Sequence, residues 1–320
     1  MSSVAEQVPS RVAGTFTSKL TALKPLRKVA KFTVVQHYFG IPLAATLLPV
    51  GVLLSWRSFA VLSLCLLCLA GVVAATTALD DLTGYRDGGD RINYGTEGRG
   101  GRTKPLLQGA VTERSVLVFA VVCEVLALLA GFAALAVAGR WTPLPVALFL
   151  GPALLSPHYS WGMRISYRPV GGEVLVFVAT VATLLWPYAL LSTAGIGALP
   201  VAEAVLLGIW FLIVVVSENT NDVAGDRAVG RRTLSVLVSA AAVRRILAGL
   251  VAGWVGIAVG CTVAGVFSPV ALGFLAPTAA MHVWHLVEVS RRQRWLRGAA
   301  ISFMAFNLGF AGLLAVNLLR

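Results

Sequence analysis

Two short acidic patches hold most of the chemistry this chain can offer. The first is Asp80-Asp81 with Asp87 and Asp90; the second is Asp222 with Asp226. These six come from only 14 acids in 320 residues, so the carboxylates are gathered rather than scattered. Each patch stands where an apolar run meets a basic loop. Carboxylates crowded at a membrane surface repel one another unless a cation lies between them. An all-oxygen donor set suits Mg²⁺, and Mg²⁺ beside Lys or Arg suits a diphosphate.

The spacing within each patch is informative. Ser217-Glu218-Asn219-Thr220-Asn221-Asp222 leads on to Asp226-Arg227. Residues i and i+4 share a helix face, so Glu218, Asp222 and Asp226 are expected as one acidic stripe. Gly230-Arg231-Arg232-Thr233-Leu234 follows as a basic turn. In the first patch Asp80 and Asp87 lie two turns apart on one face. Behind them come Arg99 to Arg102, then Lys104-Pro105-Leu106 and Gly109. Charged interface loops balanced by local ion pairs are the plainer alternative. Two such patches, each with its own basic tail, favour paired Mg²⁺ sites.

The elements that must position these residues are transmembrane helices. Hydrophobic residues make up 58% of the chain and charged residues 12%, against about 25% charged in soluble proteins. The apolar runs are continuous rather than alternating, which points to helices and not a barrel. Nine runs are candidates to span a bilayer: 33–55, 58–79, 115–139, 142–160, 172–194, 198–220, 246–266, 269–289 and 298–318. Of 26 Lys and Arg residues, 23 fall in alternate inter-span segments. The positive-inside rule then places the N-terminus in the cytoplasm and the C-terminus outside, in the plasma membrane, with both acidic patches on the cytoplasmic face. The net charge of +12 follows from this topology and from contact with anionic membrane lipids, so no nucleic-acid partner is expected. Residues 1–31 read as a cytoplasmic basic segment without a cleavable signal, and 19–31 as an interfacial helix. Residues 32–320 read as one nine-span domain. Cys65, Cys68, Cys123 and Cys261 sit in apolar runs and read as small core residues, not as metal ligands.

With these residues in hand, the chain resembles the UbiA superfamily of intramembrane prenyltransferases, closest to the branch that prenylates dihydroxynaphthoate in menaquinone synthesis. The resemblance rests on Asp81 and Asp87 with Lys104-Pro105-Leu106 and Gly109. It includes Tyr167-Arg168 with Gly171-Gly172-Glu173. Most specific is Asn219 with Asp222, Asp226-Arg227 and Gly230 to Leu234. It covers nearly the whole chain. It implies an all-α integral membrane bundle of nine helices around a central cavity. It further implies Mg²⁺ bound at two Asp-rich motifs, an isoprenyl diphosphate whose tail lies in an apolar tunnel, and a lipophilic or aromatic acceptor. On that basis Asp81, Asp87, Asp222 and Asp226 are the catalytic and metal-binding residues, with Asp80 as a further ligand. Lys104, Arg102, Arg168, Arg227 and Arg231 bind the diphosphate. Three positions depart from the pattern: Asp80-Asp81 stands where Asn-Asp is common, Gly84 where a further Asp is common, and Glu218 where an amide is usual.

Prenyl transfer to an acceptor is the leading expectation. A terpene cyclase, in which the cation attacks its own double bonds, is the alternative, and a transporter a more distant one. Glu218, Asn219, Tyr159, His158, His282 and His285 are candidates to line the cavity or handle the acceptor. Tyr159, Trp161 and Trp186 offer aromatic faces to a carbocation. Glu124 sits deep in an apolar run, where it is either hydrogen-bonded or facing a cavity.

Overall fold

Where lipid replaces water, every backbone N–H and C=O must find a partner inside its own segment, and the long apolar runs accordingly wind into helices. The computed structural model describes residues 24–31, 34–95, 98 and 103–320, and among them there is no strand. The principal helices are α1 (Gly40–Thr46), α2 (Trp56–Asp87), α3 (Glu113–Ala138), α4 (Pro143–Leu155), α5 (Gly171–Leu191), α6 (Ala198–Asn221), α7 (Ala240–Val263), α8 (Val270–Ser290) and α9 (Trp295–Leu318).

Seven of these, α2, α3 and α5 to α9, are long and apolar enough to cross a membrane. Among the described residues, two of the nine expected runs are not continuous helices of spanning length. The 33–55 run breaks into a 3₁₀ turn (Val35–Tyr38), α1 and a four-residue helix (Val50–Leu53). Pro49 sits at that second break, where it can donate no hydrogen bond. The 142–160 run keeps only the 13 residues of α4, with Pro143 in its first turn and Pro152 inside. At 1.5 Å per residue that is about 20 Å, short of a core about 30 Å thick. Residues 24–29 of the basic segment are helical, and residues 19–23 lie outside the described part.

Local signals set the ends of α2 and α3. Ser55 caps α2, accepting the Ser58 N–H, and the helix stops at Gly88, whose φ of 87° ends it in the left-handed region. Thr112 and Ser115 form a reciprocal capping box at the start of α3. The two helices pack along each other through small residues, among them Ala74, Ala78, Ala120 and Ala127. Helix α6 is the most buried of the seven and touches α5, α7 and α9. Trp210 on α6, Trp254 on α7 and Phe306 on α9 form the centre of one core cluster. A second core, between α2, α3, α4 and α5, includes Cys65, Cys68, Phe149 and Trp186. Outward faces such as Val121, Val125 and Leu129 on α3 remain apolar and exposed, as lipid contact requires.

One expected feature is changed by a helix end. Glu218, Asp222 and Asp226 do not lie along one continuous helix. Helix α6 ends at Asn221, Asp222 is its C-cap, and a short helix (Val223–Ala228) carries Asp226. A backbone bond from Asp226 N–H to the Asp222 carbonyl (2.9 Å) still keeps those two carboxylates one turn apart.

Candidate active site

The two acidic patches, far apart in sequence, are tied together by cations and amides at one end of the bundle. Asp80 and Asp81 come from the last turns of α2. Asp81 is buried and accepts from Lys104 Nζ at 2.7 Å, and Lys104 also reaches Asp90 at 3.1 Å. Lys31 approaches Asp81 at 3.7 Å. Arg231, from the turn after the second patch, donates to Asp80 at 2.8 Å. That bond joins one half of the site to the other. A second tie runs between two short helices, Gly89–Tyr94 and Val223–Ala228: Asn93 Oδ1 accepts the Gly225 N–H at 2.9 Å. A Cβ on Gly225 would lie 2.4 Å from Asn93 Nδ2, so this contact requires glycine. The Tyr94 hydroxyl points at Asp222 Oδ2, 3.5 Å away.

The loop between α4 and α5 closes a third side. Tyr167 donates its hydroxyl to Asp87 Oδ2. Its ring lies under Arg164 at 4.1 Å and Arg231 at 5.5 Å. Val170 adopts φ 49°, an uncommon conformation for a β-branched residue. Its N–H bonds the Arg232 carbonyl at 3.0 Å, which stitches this loop to the 231–234 turn. Just beyond, Glu173 is buried at the start of α5. Its Oε1 accepts from Asn219 Nδ2 and from the Leu234 N–H, both at 2.9 Å.

The charges are unequally balanced. Burial pushes the Asp226 carboxyl up to about 7; Arg231 and Thr233 pull it back, and Asp222 and Asp80 add to the rise. Burial likewise lifts Asp90 to about 6 against the pull of Lys104. Burial alone would lower Lys104 and Arg231, yet neighbouring carboxylates, Asp81 for the lysine and Asp80 for the arginine, hold both well above their usual values. The cluster thus has firmly charged cations and acids that one more positive charge would relieve. Among the described residues no three carboxylates, imidazoles or thiols meet as a compact metal cage. Mg²⁺ is commonly held by one or two carboxylates plus substrate phosphates and water, not by an all-protein cage. The hard oxygen donors present here fit that mode.

Directly inward of the cluster lies an apolar cavity of about 140 Å³ between α2, α4 and α5. Tyr159 joins the two: it lines the cavity, and its ring and hydroxyl lie against Gly172, next to the buried Glu173. His37, Thr76 and Phe211 line it as well.

The structure sorts the remaining sequence candidates. Arg168 and Arg227 are exposed and form no ion pair among the described residues, and Arg102 lies outside those residues. Glu218 is half-buried on the last turn of α6, and Asn219 is engaged with Glu173. His158 accepts the Met163 N–H within its own turn. His282 and His285 do not line the cavity; they are buried between helices. His285 contacts the Gly298 carbonyl at 2.9 Å and Ser217 Oγ at 3.4 Å, and His282 packs on Trp254. Trp161 covers Arg86, whereas Trp186 does line the cavity. Glu124 stays outside the cavity lining, with Oε2 buried and, among the described residues, without a hydrogen-bond partner. Sequence reasoning assigned no role to Glu173, Tyr167, Asn93 or Tyr94. For Glu173 a signal existed, since an acid opening an apolar run is costly unless paired. For Asn93 none did.

The sequence model of the UbiA prenyltransferase family matches residues 38–310. Among curated proteins, none matches the chain. Solved structures share its fold. A UbiA homolog from Archaeoglobus fulgidus bound to GPP and Mg²⁺ is 17% identical, with a TM-score of 0.61, covering 91% of this chain and 99% of that one. The same homolog bound to DMAPP and Mg²⁺ is 16% identical, with a TM-score of 0.60 and the same coverage. A UbiA homolog from Aeropyrum pernix K1 is 18% identical, with a TM-score of 0.61, covering 88% of this chain and 98% of that one.

Proposed function

The chain belongs to the UbiA prenyltransferase family, and from that premise we propose that it is a Mg²⁺-dependent membrane enzyme that ionises an isoprenyl diphosphate and transfers the prenyl group to a lipophilic or aromatic acceptor. The observation that carries this reading is the junction at Tyr159, where an apolar cavity adjoins the cluster of carboxylates and cations. One molecule with a polyanionic head and a hydrocarbon tail satisfies both halves.

The residues divide the work. Asp81, Asp87, Asp222 and Asp226, with Asp80 beside them, are the oxygen donors for Mg²⁺. The metal, when bound, neutralises the negative charge that collects on the departing diphosphate. Lys104 and Arg231, both charged and largely buried, hold diphosphate oxygens directly. Arg168 and Arg227 at the rim draw the anion in, and Arg102 belongs to the same basic stretch as Lys104. The allylic C–O bond breaks with its electron pair leaving on the diphosphate. A nucleophilic carbon or oxygen of the acceptor then bonds the allylic carbon and releases a proton. Tyr159 and Phe211 keep water away and present ring faces to the cation. The protein sits in the plasma membrane with its basic loops and this site on the cytoplasmic side, as the charge asymmetry of its loops argues. Residues 32–320 act as one transmembrane domain behind the basic segment 1–31.

Purified protein is incubated with allylic diphosphates and Mg²⁺, with and without an aromatic acceptor, and pyrophosphate and products are measured. Release that vanishes in chelator and in both Asp81→Asn and Asp226→Asn is expected. Equal release in chelator would refute the reading. A cyclic hydrocarbon formed without acceptor would replace transfer by cyclisation.

A further inference from the structure

Three independent helices agree on which end of the cavity is deep. On α2 the lining runs from Thr77, near the acidic cluster, down to Cys65. On α5 it runs from Leu175 to Trp186 and Pro187, and on α4 from Ala153 to Phe149 and Leu148, with Ser156 just past the end of α4. The remote end of the lining on α4 and α5 thus carries two large aromatic rings, Phe149 and Trp186. They stack on each other, ring centroids 5.2 Å apart and planes at 16°. Both are buried. Phe149 is pinned from behind. It meets Phe132 edge to face at 5.3 Å, and it presses on Gly131 of α3 so closely that a Cβ there would fall 2.0 Å from its ring. An aromatic pair clamped in this way is a rigid floor, not a swinging gate.

Resting on the reading of the site as an isoprenyl diphosphate site, we propose that the stacked Phe149–Trp186 pair is the length gauge of the enzyme and selects allylic tails of three five-carbon units or fewer. Between Leu175 and Trp186 the helix advances about 17 Å at 1.5 Å per residue. An extended isoprenoid advances roughly 5 Å per unit, given carbon–carbon bonds of about 1.5 Å. Three units reach the floor, and a fourth meets Phe149 and Trp186. Polar anchoring of the head at Lys104 and Arg231 prevents the tail from shifting outward to compensate.

The test compares geranyl, farnesyl and geranylgeranyl diphosphates in two arms. One measures Mg²⁺-dependent pyrophosphate release; the other measures binding of the matching non-ionisable thiolodiphosphates. Wild-type protein is expected to favour farnesyl or geranyl over geranylgeranyl by tenfold or more in both arms. Trp186→Ala and Phe149→Ala each lower that ratio at least tenfold. Ala179→Phe, which fills the lining midway between Leu175 and Trp186, moves the preference toward geranyl. Geranylgeranyl accepted equally by wild type, or a ratio unmoved by Ala179→Phe, overturns the gauge. If Trp186→Ala does not fold, Ala179→Phe alone decides. Failure of wild type to release pyrophosphate from any of the three refutes the proposed function instead, while the binding arm still reads the floor.

Discussion

Glu173 is the residue through which the second half of the site can be loosened without touching a candidate metal ligand. It is 4% exposed, and a single oxygen, Oε1, takes both the Asn219 amide and the Leu234 N–H at 2.9 Å. Hydrogen bonds to a charged group contribute about 1.5–3 kcal/mol each, and a buried donor left unpaired costs about 1–3 kcal/mol. Glu173→Ala strands two donors, so a loss of about 2–6 kcal/mol in stability is expected. Glu173→Gln can keep an oxygen at the Oε1 position, but it places an amide NH₂ where Oε2 is buried without a partner among the described residues; about 2 kcal/mol is expected there. The functional consequence follows from spacing. Asn219 stands three residues before Asp222 and Leu234 three after Arg231, so both anchors of the second patch slacken together. A misplacement near 1 Å can reduce turnover by roughly 10²-fold. The assay is a double-mutant cycle of Glu173→Ala and Asn219→Ala, read by melting in detergent and by Mg²⁺ titration with a non-ionisable diphosphate. A coupling of about 1–3 kcal/mol and weakened Mg²⁺-diphosphate binding are expected. Additivity within about 0.5 kcal/mol, with unchanged binding, would refute the argument.

Three further outcomes follow from the geometry. Gly225→Ala forces a Cβ to within 2.4 Å of Asn93 Nδ2 and is expected to destabilise by about 1–3 kcal/mol and weaken Mg²⁺ binding; removing the obstruction with Asn93→Ala should restore part of the loss, and no recovery in melting temperature would argue against the contact. His285→Ala is expected to lower stability by about 1–3 kcal/mol, because the Gly298 carbonyl and Ser217 lose a buried partner, while pyrophosphate release by the folded fraction stays within a few-fold; a hundredfold drop in kcat at unchanged melting temperature would return this histidine to the chemistry. Arg168→Ala and Arg227→Ala should raise KM only a few-fold, with the effect fading at high salt, whereas Lys104→Ala and Arg231→Ala should cut kcat/KM by roughly 10² or more; equal losses from all four would show that burial does not rank these cations.

How much of this was legible in the sequence differs from element to element. The seven long helices were, because each is a run of apolar residues of spanning length, and composition alone decides that property. The two interrupted runs both carry proline. Pro49 separates two short helices and Pro152 sits inside α4, and Pro143, Pro145, Pro152 and Pro157 already mark the 142–160 run in the sequence as the weakest of the nine. Both acidic patches were legible as patches. Their pairing was not, since the Asp80–Arg231 and Asn93–Gly225 contacts join residues 151 and 132 positions apart. Spacing placed Glu218, Asp222 and Asp226 on one stripe, but helix ends are set by capping geometry, and Asp222 takes the cap. Histidines near a site attract catalytic readings. His285 sits at a helix interface with the Gly298 carbonyl as its partner, and His282 packs one turn away against Trp254; period alone cannot say which face of a fully apolar helix is inward.

The departure at Gly84 shows why a motif read position by position understates this site. An acid there would leave α2 one turn after Asp81. Instead, an ideal Cβ on Gly84 would lie 2.8 Å from Asp90 Cγ and 2.9 Å from both carboxylate oxygens. The Asp90 carboxyl therefore fills the place that a side chain at 84 would take, delivered from the short helix Gly89–Tyr94 rather than from α2. Lys104 registers the result, since its ammonium contacts Asp81 and Asp90 at 2.7 and 3.1 Å, as though the two acids shared one helix face. Asn93 on the same short helix fastens it to the second patch through Gly225. The element that supplies the displaced carboxylate is thus also the element that joins the two halves, so the position of Asp90 and the closure of the site depend on one set of contacts.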